Sequence, residues 1–291
     1  MQNILITGGT GTLGTQLTLN LHETANVTVL SRDEKKLVEL RNRFPNVRIL
    51  VGDIRRPLRD RDHLRYDTIF HCAALKHVDI GEAFPDEFYE TNYVGTKHVW
   101  ELAERMNVSN FVFFSTDKAV LPINAYGYSK AMAEKFLLAC GKPKIYRWGN
   151  IIGSRGSVIP HFVECIKNGM PCVITDKRMT RFWLTIEEAI EFVLDTYENV
   201  RSVSSDIADI VDHCGTLMIH PKIKSASVED IVTALGKVIG QNPIIEYGKI
   251  RPGEKIHECL RTGHDYCIRS DNCDKYTESE LIDKLNTFMG H

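Results

Sequence analysis

Three features of the sequence predict an α/β fold built on a doubly wound parallel sheet, with a smaller C-terminal α/β region. Short apolar runs of strand length alternate with helical stretches from Asn3 to about Trp148. The first run, Asn3 to Ile6, leads straight into a glycine-rich turn at the head of a helix. After Trp148 the alternation lapses into loops rich in glycine, serine and basic residues. Residues 1–150 therefore read as one unit, to which 183–212 return, and 151–291 as mainly another.

In chain order, Thr7 to Gly14 is the turn and Thr12 to Leu21 the following helix. Gly8, Gly11 and Gly14 recur every third residue, while Gly9, Gly11 and Gly14 fit the usual dinucleotide spacing; either register permits close approach of backbone to a ligand. Amides at a helix start carry roughly half a positive charge. The turn is therefore expected to hold a pyrophosphate, with Thr7, Gly8, Gly11, Thr12, Leu13 and Gly14 around it. The second strand, Val27 to Leu30, ends in Ser31-Arg32-Asp33, where an acidic residue normally holds the ribose 2′-hydroxyl. Arg32 can instead pair with a 2′-phosphate and Ser31 can donate to it, which favours NADP over NAD. Asp33 is either a ribose ligand or the first acidic residue of the helix that runs to Phe44. Val47 to Val51 is a third strand. Asp53, with Ile54 beside it, either accepts from an adenine amino group or serves a turn. Thr68 to His71 is a fourth strand, closed by Cys72-Ala73-Ala74, whose small side chains let a cofactor approach; Asp86 to Met106 is a long helix carrying Asn92.

Asn110 to Phe114 is a continuous apolar run, so Ser115-Thr116-Asp117-Lys118 falls at the carboxyl end of a buried parallel strand, where open sheets bind ligands. Pro122 and Asn124 break the chain and start a helix to about Ala139, with Tyr126 and Lys130 at i and i+4 on one face. A phenol, with a pKa of about 10, is a poor base at neutral pH, and an adjacent ammonium is expected to lower that value. The pair can then take a proton from a sugar hydroxyl while the carbinol hydride leaves for a nicotinamide. The same spacing also suits an ordinary helix face. Further on, Gly149 to Pro160 is a loop, Thr175 to Arg181 is basic and Arg251-Pro252-Gly253-Glu254 is a turn. Two arginines can grip a diphosphate and a glutamate can hold ribose hydroxyls, though basic loops also serve solubility alone.

With 291 residues, 43% of them hydrophobic, and a formal net charge of -2, the chain can bury a large core. The arginine-rich stretch Arg55 to Arg65 is interrupted by Asp60 and Asp62, so no nucleic acid is expected as a partner. No apolar stretch reaches membrane length and Met1 leads directly into the first strand, so no membrane is expected and the location is expected to be cytoplasmic. The eight cysteines lack paired metal-ligand spacing and should be reduced thiols. Although His257, Cys259, His264, Cys267 and Cys273 gather near the end, no metal is expected.

Taken in order, these motifs resemble the extended short-chain dehydrogenase/reductase family, and within it the UDP-N-acetylglucosamine 4,6-dehydratases of the inverting, 5-epimerising kind. The resemblance rests on Thr7 to Gly11, Ser31 to Asp33, Ala73 to Val78, Ser115 to Lys118, Pro122 to Asn124, Tyr126 to Lys130, Gly149-Asn150, Gly153 to Val158, Met179 to Trp183 and Arg251 to Lys255. It spans nearly the whole length, departing from the family in the short tail after Arg261. It implies a Rossmann domain holding NADP, a UDP-N-acetylglucosamine substrate and a homo-oligomer, dimer or hexamer. Tyr126 and Lys130 would serve oxidation at carbon 4, and Thr116 would hydrogen-bond the carbonyl oxygen. Lys118, once deprotonated, would remove the hydrogen of carbon 5, and Asp117 would protonate the departing hydroxyl of carbon 6. Because hydride returns to carbon 6, such an enzyme is a lyase that keeps its cofactor.

By the same resemblance Lys76, Asn150, Val158, Met179 and Arg181 lie on the sugar and pyrophosphate, and Arg251 and Glu254 on the nucleotide. Lys76 and Asn92 also count among the cofactor positions, with Tyr126 and Lys130. The chemistry requires a lysine that loses its proton near neutral pH, through desolvation or a nearby cation such as Lys130, and a carboxyl that holds one. A retaining dehydratase would use the same Asp117 and Lys118, whereas a 4-epimerase would need neither. A non-catalytic NADP-binding regulator would share the fold, but not the need for Tyr126 and Lys130.

Overall fold

The structure, a computed structural model, describes residues 1–58, 64–198, 207–213, 215–262 and 267–290. Six parallel strands make up the first half: β1 (Asn3–Thr7), β2 (Asn26–Ser31), β3 (Arg48–Val51), β4 (Thr68–His71), β5 (Asn110–Thr116) and β6 (Lys144–Trp148). They lie in the order β3-β2-β1-β4-β5-β6; Thr216–Pro221 continues the sheet in parallel beyond β6, and Ile207–His213 closes it as an antiparallel edge. The winding reverses between β1 and β4, the place where an open sheet leaves a crevice at the carboxyl ends of its strands. The chain returns to this sheet as far as Pro221, beyond residue 212, because Thr216–Pro221 finds β6 as its partner.

Neighbouring residues of a strand point to opposite faces. Ile4, Ile6, Val112 and Phe114 accordingly pack on one side with helices Thr12–Leu21 and Ile186–Thr196. Leu5, Phe111 and Phe113 pack on the other with Gly95–Arg105 and Ala125–Leu138. Strands covered on both faces read as unbroken apolar runs, which is how they stand out in the sequence.

A second, smaller core joins helices Val158–Lys167, Val228–Ile239 and Glu278–Met289 through Phe162, Ile166, Ile231, Leu235, Leu281 and Leu285. Beside it, Thr180–Leu184 pairs with Asn150–Ile151 on one side and Ser225–Ser227 on the other. The tail after Arg261 contributes a strand, Cys267–Arg269, antiparallel to Cys259–Thr262, and a final helix that sets Phe288 beneath Gly153. Gly153 has φ of +71°, and a methyl group there would lie 2.2 Å from the Phe288 ring, so the loop can close only over glycine.

The helix expected from Asp86 to Met106 is instead a rod with a widened middle: Pro85–Phe88, a π-helical segment Tyr89–Val94, then Gly95–Arg105. An extra residue in one turn leaves the hydrophobic period almost unchanged, which hides it from the sequence. Asn92 lies in that widened turn and its amide clamps the loop after β4. Oδ1 accepts from the Leu75 backbone N–H at 2.8 Å, and Nδ2 donates to the Leu75 carbonyl at 2.9 Å and to Ser129 Oγ at 3.0 Å. On the other side of the helix Ala125–Leu138, Glu134 forms a buried two-bonded ion pair with Arg147 of β6, at 2.9 and 2.5 Å, while Arg147 also donates to the Leu260 carbonyl at 2.8 Å. Both faces of that helix are thereby fixed to the sheet and to the C-terminal segment.

Candidate active site

The glycine-rich turn and the ends of β2 and β4 border a cleft of about 340 Å³, lined among others by Gly8, Gly11, Ser31, Arg32, Asp53, Ile54, Ala73 and Ala74. Gly8 has φ of +65°, and a Cβ there would lie 2.6 Å from the Ala73 backbone; at Gly14 it would lie 2.4 Å from Gly9 Cα. The helix Thr12–Leu21 begins without a side-chain cap, which leaves its first N–H groups for a ligand. A bare helix start beside backbone that only glycine can form fits a dinucleotide pyrophosphate.

Several of the expected residues act beneath this cleft. Thr7 Oγ1 is fully buried and hydrogen-bonds His71 Nδ1 at 2.6 Å. His71 in turn meets Thr96 Oγ1 at 2.9 Å, and burial, with Lys130 adding, pushes its pKa down to about 3. Leu13 packs against the sheet. Thr12 Oγ1 accepts from the Arg155 backbone N–H at 3.1 Å. Arg155, to which the sequence assigned no role, lines the cleft and reaches the Thr10 carbonyl at 3.4 Å, which puts a guanidinium beside the glycine-rich turn. Asp33 acts as a helix cap: its carboxylate accepts from the Lys36 N–H at 3.1 Å and pairs with the Lys36 amine at 2.7 Å, which hold its pKa below the ordinary value. Asp53 is gripped by the Arg55 guanidinium at 2.9 and 2.6 Å, and its pKa is held low for that reason.

At the end of β5 the chain makes one 3₁₀ turn, Asp117–Ala119. The helix Ala125–Leu138 packs on this turn so closely that a Cβ at Gly127 would lie 2.3 Å from the Lys118 carbonyl oxygen. Asn124 caps the helix by accepting from the Gly127 N–H at 2.7 Å, and donates to the Gly253 carbonyl at 2.7 Å. This packing brings the expected catalytic groups together. Thr116 Oγ1 donates to Asp117 Oδ1 at 2.9 Å, and the helix carrying Tyr126 lies directly on this turn. The Lys118 amine donates to Asp117 Oδ1 at 3.1 Å and to Asn150 Oδ1 at 3.4 Å. Asp117 is fully buried, and its Oδ2 has no partner among the described residues. Burial raises its pKa, with Lys118 opposing and Glu258 adding.

Glu258, like Arg155, is a group that sequence reasoning missed. Its side chain is buried, with Oε1 at 3.3 Å from the Lys118 amine and 4.0 Å from Arg181 Nε, and Oε2 at 3.5 Å from the Lys255 amine. Lys255 is a local partner three residues away, but Lys118 and Arg181 come from distant parts of the chain, so the contact with Lys118 leaves no trace in local spacing. The presence of Glu258 reverses one expectation. Burial alone would depress the Lys118 ammonium, but the Asp117 and Glu258 carboxylates outweigh it and raise its pKa. Lys130 is not the cation that acts on Lys118; its amine lies 3.9 Å from the Phe113 ring centroid, and burial pushes its own pKa down to about 7, with Glu134 opposing. Tyr126 is likewise raised rather than lowered: burial dominates, Thr116 and Lys118 oppose it, and Asp117 and Glu258 add to it.

Among the residues expected to touch a sugar nucleotide, Asn150 and Arg181 join the Lys118 cluster. Arg181 donates to the carbonyls of Thr180, Ile256 and Lys255 at 2.8 to 2.9 Å and lies 3.6 Å from the sulfur of buried Met179. Lys76 donates to Ser154 Oγ at 3.3 Å, and burial, with Arg155, lowers its pKa. Val158 opens the helix Val158–Lys167 and packs on the second core. Arg251 and Glu254 pair with each other at 3.1 Å, in the turn that Asn124 binds through Gly253. His257 meets Thr180 Oγ1 at 2.8 Å and Cys259 Sγ lies 2.9 Å from Cys267 Sγ; His264 lies outside the described residues.

Residues 4–280 match the polysaccharide biosynthesis protein family. The chain belongs to that family. Two Campylobacter jejuni members named UDP-N-acetylglucosamine 4,6-dehydratase (inverting) are 35% identical to it, each alignment covering 99% of this chain and 86% of the relative. A UDP-glucose 4-epimerase of Rickettsia akari is 32% identical over 93% of this chain and 80% of its own. Among solved structures, Pen from Bacillus thuringiensis aligns with a TM-score of 0.86 at 30% identity over 99% of this chain and 98% of its own. The dTDP-glucose 4,6-dehydratase of Streptomyces venezuelae, solved with NAD and TYD, shares the fold with a TM-score of 0.78 at 20% identity, covering 99% of this chain and 97% of its own. The fold is thus that of the short-chain dehydrogenase/reductase type of dehydratases and epimerases.

In this family member the buried Lys130 bears on stability. Its amine falls from an ordinary 10.5 to about 7 in the folded chain. Between these values the unfolded chain binds a proton that the folded one does not, so stability rises with pH across that window. Replacing Lys130 with Met removes the penalty of burying a cation. Urea unfolding should find Lys130→Met more stable than the parent by a few kcal/mol, in order of magnitude, at pH near 6.5, with the difference closing towards pH 10. A difference that does not change with pH would contradict the assignment.

Proposed function

We propose that this chain is a UDP-N-acetylglucosamine 4,6-dehydratase, NADP-dependent and inverting at carbon 5, which yields UDP-2-acetamido-2,6-dideoxy-β-L-arabino-hex-4-ulose. One observation carries the reading: the Asp117–Lys118 pair, with Asp117 fully buried, sits in the turn against which the helix bearing Tyr126 packs. Such a site couples alcohol oxidation to an elimination, and a 4-epimerase has no use for the second half.

Held by the glycine-rich turn with Ser31 and Arg32, NADP would supply the hydride acceptor for carbon 4 and the hydride donor for carbon 6. Tyr126 acts in its phenolate form, the minor but more basic form in this buried site, and takes the proton of the 4-hydroxyl, while Thr116 hydrogen-bonds the oxygen as it becomes a carbonyl. That ketone acidifies the hydrogen on carbon 5. Lys118 and Asp117 share a hydrogen bond of 3.1 Å, and passing one proton along it converts the ion pair into a neutral amine and a neutral acid. These are the base and acid the elimination needs. Lys118 removes the carbon 5 proton and Asp117 protonates the hydroxyl leaving carbon 6, so one water is lost. Reprotonation of carbon 5 from the opposite face gives the inverted sugar with no net redox change.

The first structural unit is the NADP domain in this reading and the second closes over the sugar nucleotide. Lys76, Asn150, Val158, Met179 and Arg181 take the sugar and pyrophosphate, and Arg251 and Glu254 the nucleotide. Arg32, exposed on the wall of the cleft, receives the 2′-phosphate, since Asp33 is committed to Lys36. The free thiols Cys72, Cys140 and Cys165 suit the reducing cytoplasm in which we place the enzyme. Self-association is inferred through the face on which exposed Tyr128 and Met132 follow helical spacing.

Purified protein given UDP-N-acetylglucosamine in deuterated water should yield a 4-keto sugar with deuterium at carbon 5 and no added cofactor. Ring coupling constants should show the inverted configuration; a retained configuration, carbon 4 epimerisation without water loss, or no keto sugar would each displace the reading. Lys118→Met should slow elimination by about 10² to 10⁴-fold, and near-normal turnover would remove Lys118 as the base. Denatured enzyme should release NADP; release of NAD instead, or an unchanged cofactor preference in Arg32→Ala, would reject the role of Arg32. Sedimentation of a Tyr128→Glu, Met132→Glu double variant should show dissociation to monomers, and an unaltered assembly would place the contact elsewhere.

A further inference from the structure

Glu258 has no part in the proton transfers of this mechanism, yet it is a carboxylate 2% exposed and 3.3 Å from the amine that serves as base. A buried charge persists only where counter-charges and hydrogen bonds offset its desolvation. Lys118, Arg181 and Lys255 supply the charge, and outweigh burial to keep the pKa of Glu258 low. The backbone around it is fixed as well: its N–H donates to Ser270 Oγ at 3.0 Å, and its carbonyl accepts from the Ser270 N–H at 2.9 Å. Arg181 is held by three carbonyls, and the Lys255 amine by the Val120 carbonyl at 2.7 Å, so neither cation swings away freely. Anchoring the C-terminal segment would require only those two cations. Contact with Lys118 serves something else.

We propose that Glu258 is a positioning residue for the dehydration, holding the Lys118 amine beside Asp117 and setting the pH range in which that pair offers one base and one acid. The inference rests on the dehydratase reading of the site. The ionisable groups facing the pair are Tyr126 from the helix Ala125–Leu138, Arg181 from the strand Thr180–Leu184, and Lys255 and Glu258 from the C-terminal segment, with the Asn150 amide as a neutral neighbour. Among them Glu258 is the fixed negative charge. A carboxylate at that distance favours the protonated form of both Lys118 and Asp117, so removing its charge weakens the hold of both on their protons. The rising limb of the pH–rate profile, where the pair gives up its first proton, and the falling limb, where it gives up its second, then move together to lower pH.

The test is the pH profile of keto-sugar formation by the full-length Glu258→Gln enzyme. Its optimum should fall by about one pH unit, and Glu258→Asp should restore most of the original profile. A Glu258→Gln profile that superimposes on the wild type overturns the proposal, whatever happens to kcat. A second readout needs no turnover: acetylation of the Lys118 amine by acetic anhydride across pH, followed by peptide mass spectrometry. The labelling midpoint should fall by a similar amount in Glu258→Gln, and an unmoved midpoint overturns the proposal even where that variant is inactive. If Glu258→Gln does not fold, Lys255→Met should move the midpoint upward by freeing the carboxylate, and no movement overturns it. If the wild type forms no keto sugar, the dehydratase reading fails while the labelling still reports whether Glu258 governs the Lys118 proton.

Discussion

A buried cluster of opposite charges at the carboxyl end of β5 is the constraint around which this molecule is arranged. Asp117, Lys118 and Glu258 lie within 3.3 Å contacts of one another through the lysine, away from solvent, and Arg181 and Lys255 complete the balance. In such a dry setting a misplaced charge is penalised by several kcal/mol, in order of magnitude. The surrounding structure must therefore hold every member in place.

Much of the remaining architecture can be read as meeting that demand. The helix carrying Tyr126 and Lys130 is capped by Asn124, held by Asn92 on one side and by the Glu134–Arg147 pair on the other, and brought against the Lys118 turn by the absence of a side chain at Gly127. Arg147 extends the same fixation to Leu260, two residues beyond Glu258. The C-terminal tail builds the hairpin next to Glu258 and supports the Gly153 loop through Phe288. Elements distant in sequence thus fix atoms within a few ångströms of each other.

Such a site trades stability for chemistry. Lys130 is buried where its proton is weakly held, Asp117 keeps an unpartnered oxygen, and Tyr126 is pushed towards its neutral form. Functional groups held against their ordinary preferences are a common reason that natural enzymes lie below their stability optimum. The 3.1 Å hydrogen bond between Lys118 and Asp117 lets the same two residues store charge as an ion pair and deliver a neutral base and acid when a substrate requires them.

The sequence alone determined the parallel sheet, the glycine-rich turn, the strand end bearing Thr116, Asp117 and Lys118, and the helix bearing Tyr126 and Lys130, because each is a local pattern of apolar period, turn residues and caps. The extent of the sheet beyond residue 212 and the π-helical turn at Asn92 depended on which neighbours the chain met, whereas the cap at Asp33 is a local pattern with Lys36 that the sequence left as one of two readings. Proton affinities were decided by the tertiary structure alone. The spacing of Tyr126 and Lys130 suggested a lowered phenol and a cation near Lys118, yet burial raises Tyr126, and the carboxylates of Asp117 and Glu258 raise Lys118 against its burial. Electrostatics in a desolvated site depends on charges from residues 117, 181, 255 and 258 converging in space, and no one-dimensional spacing records that convergence.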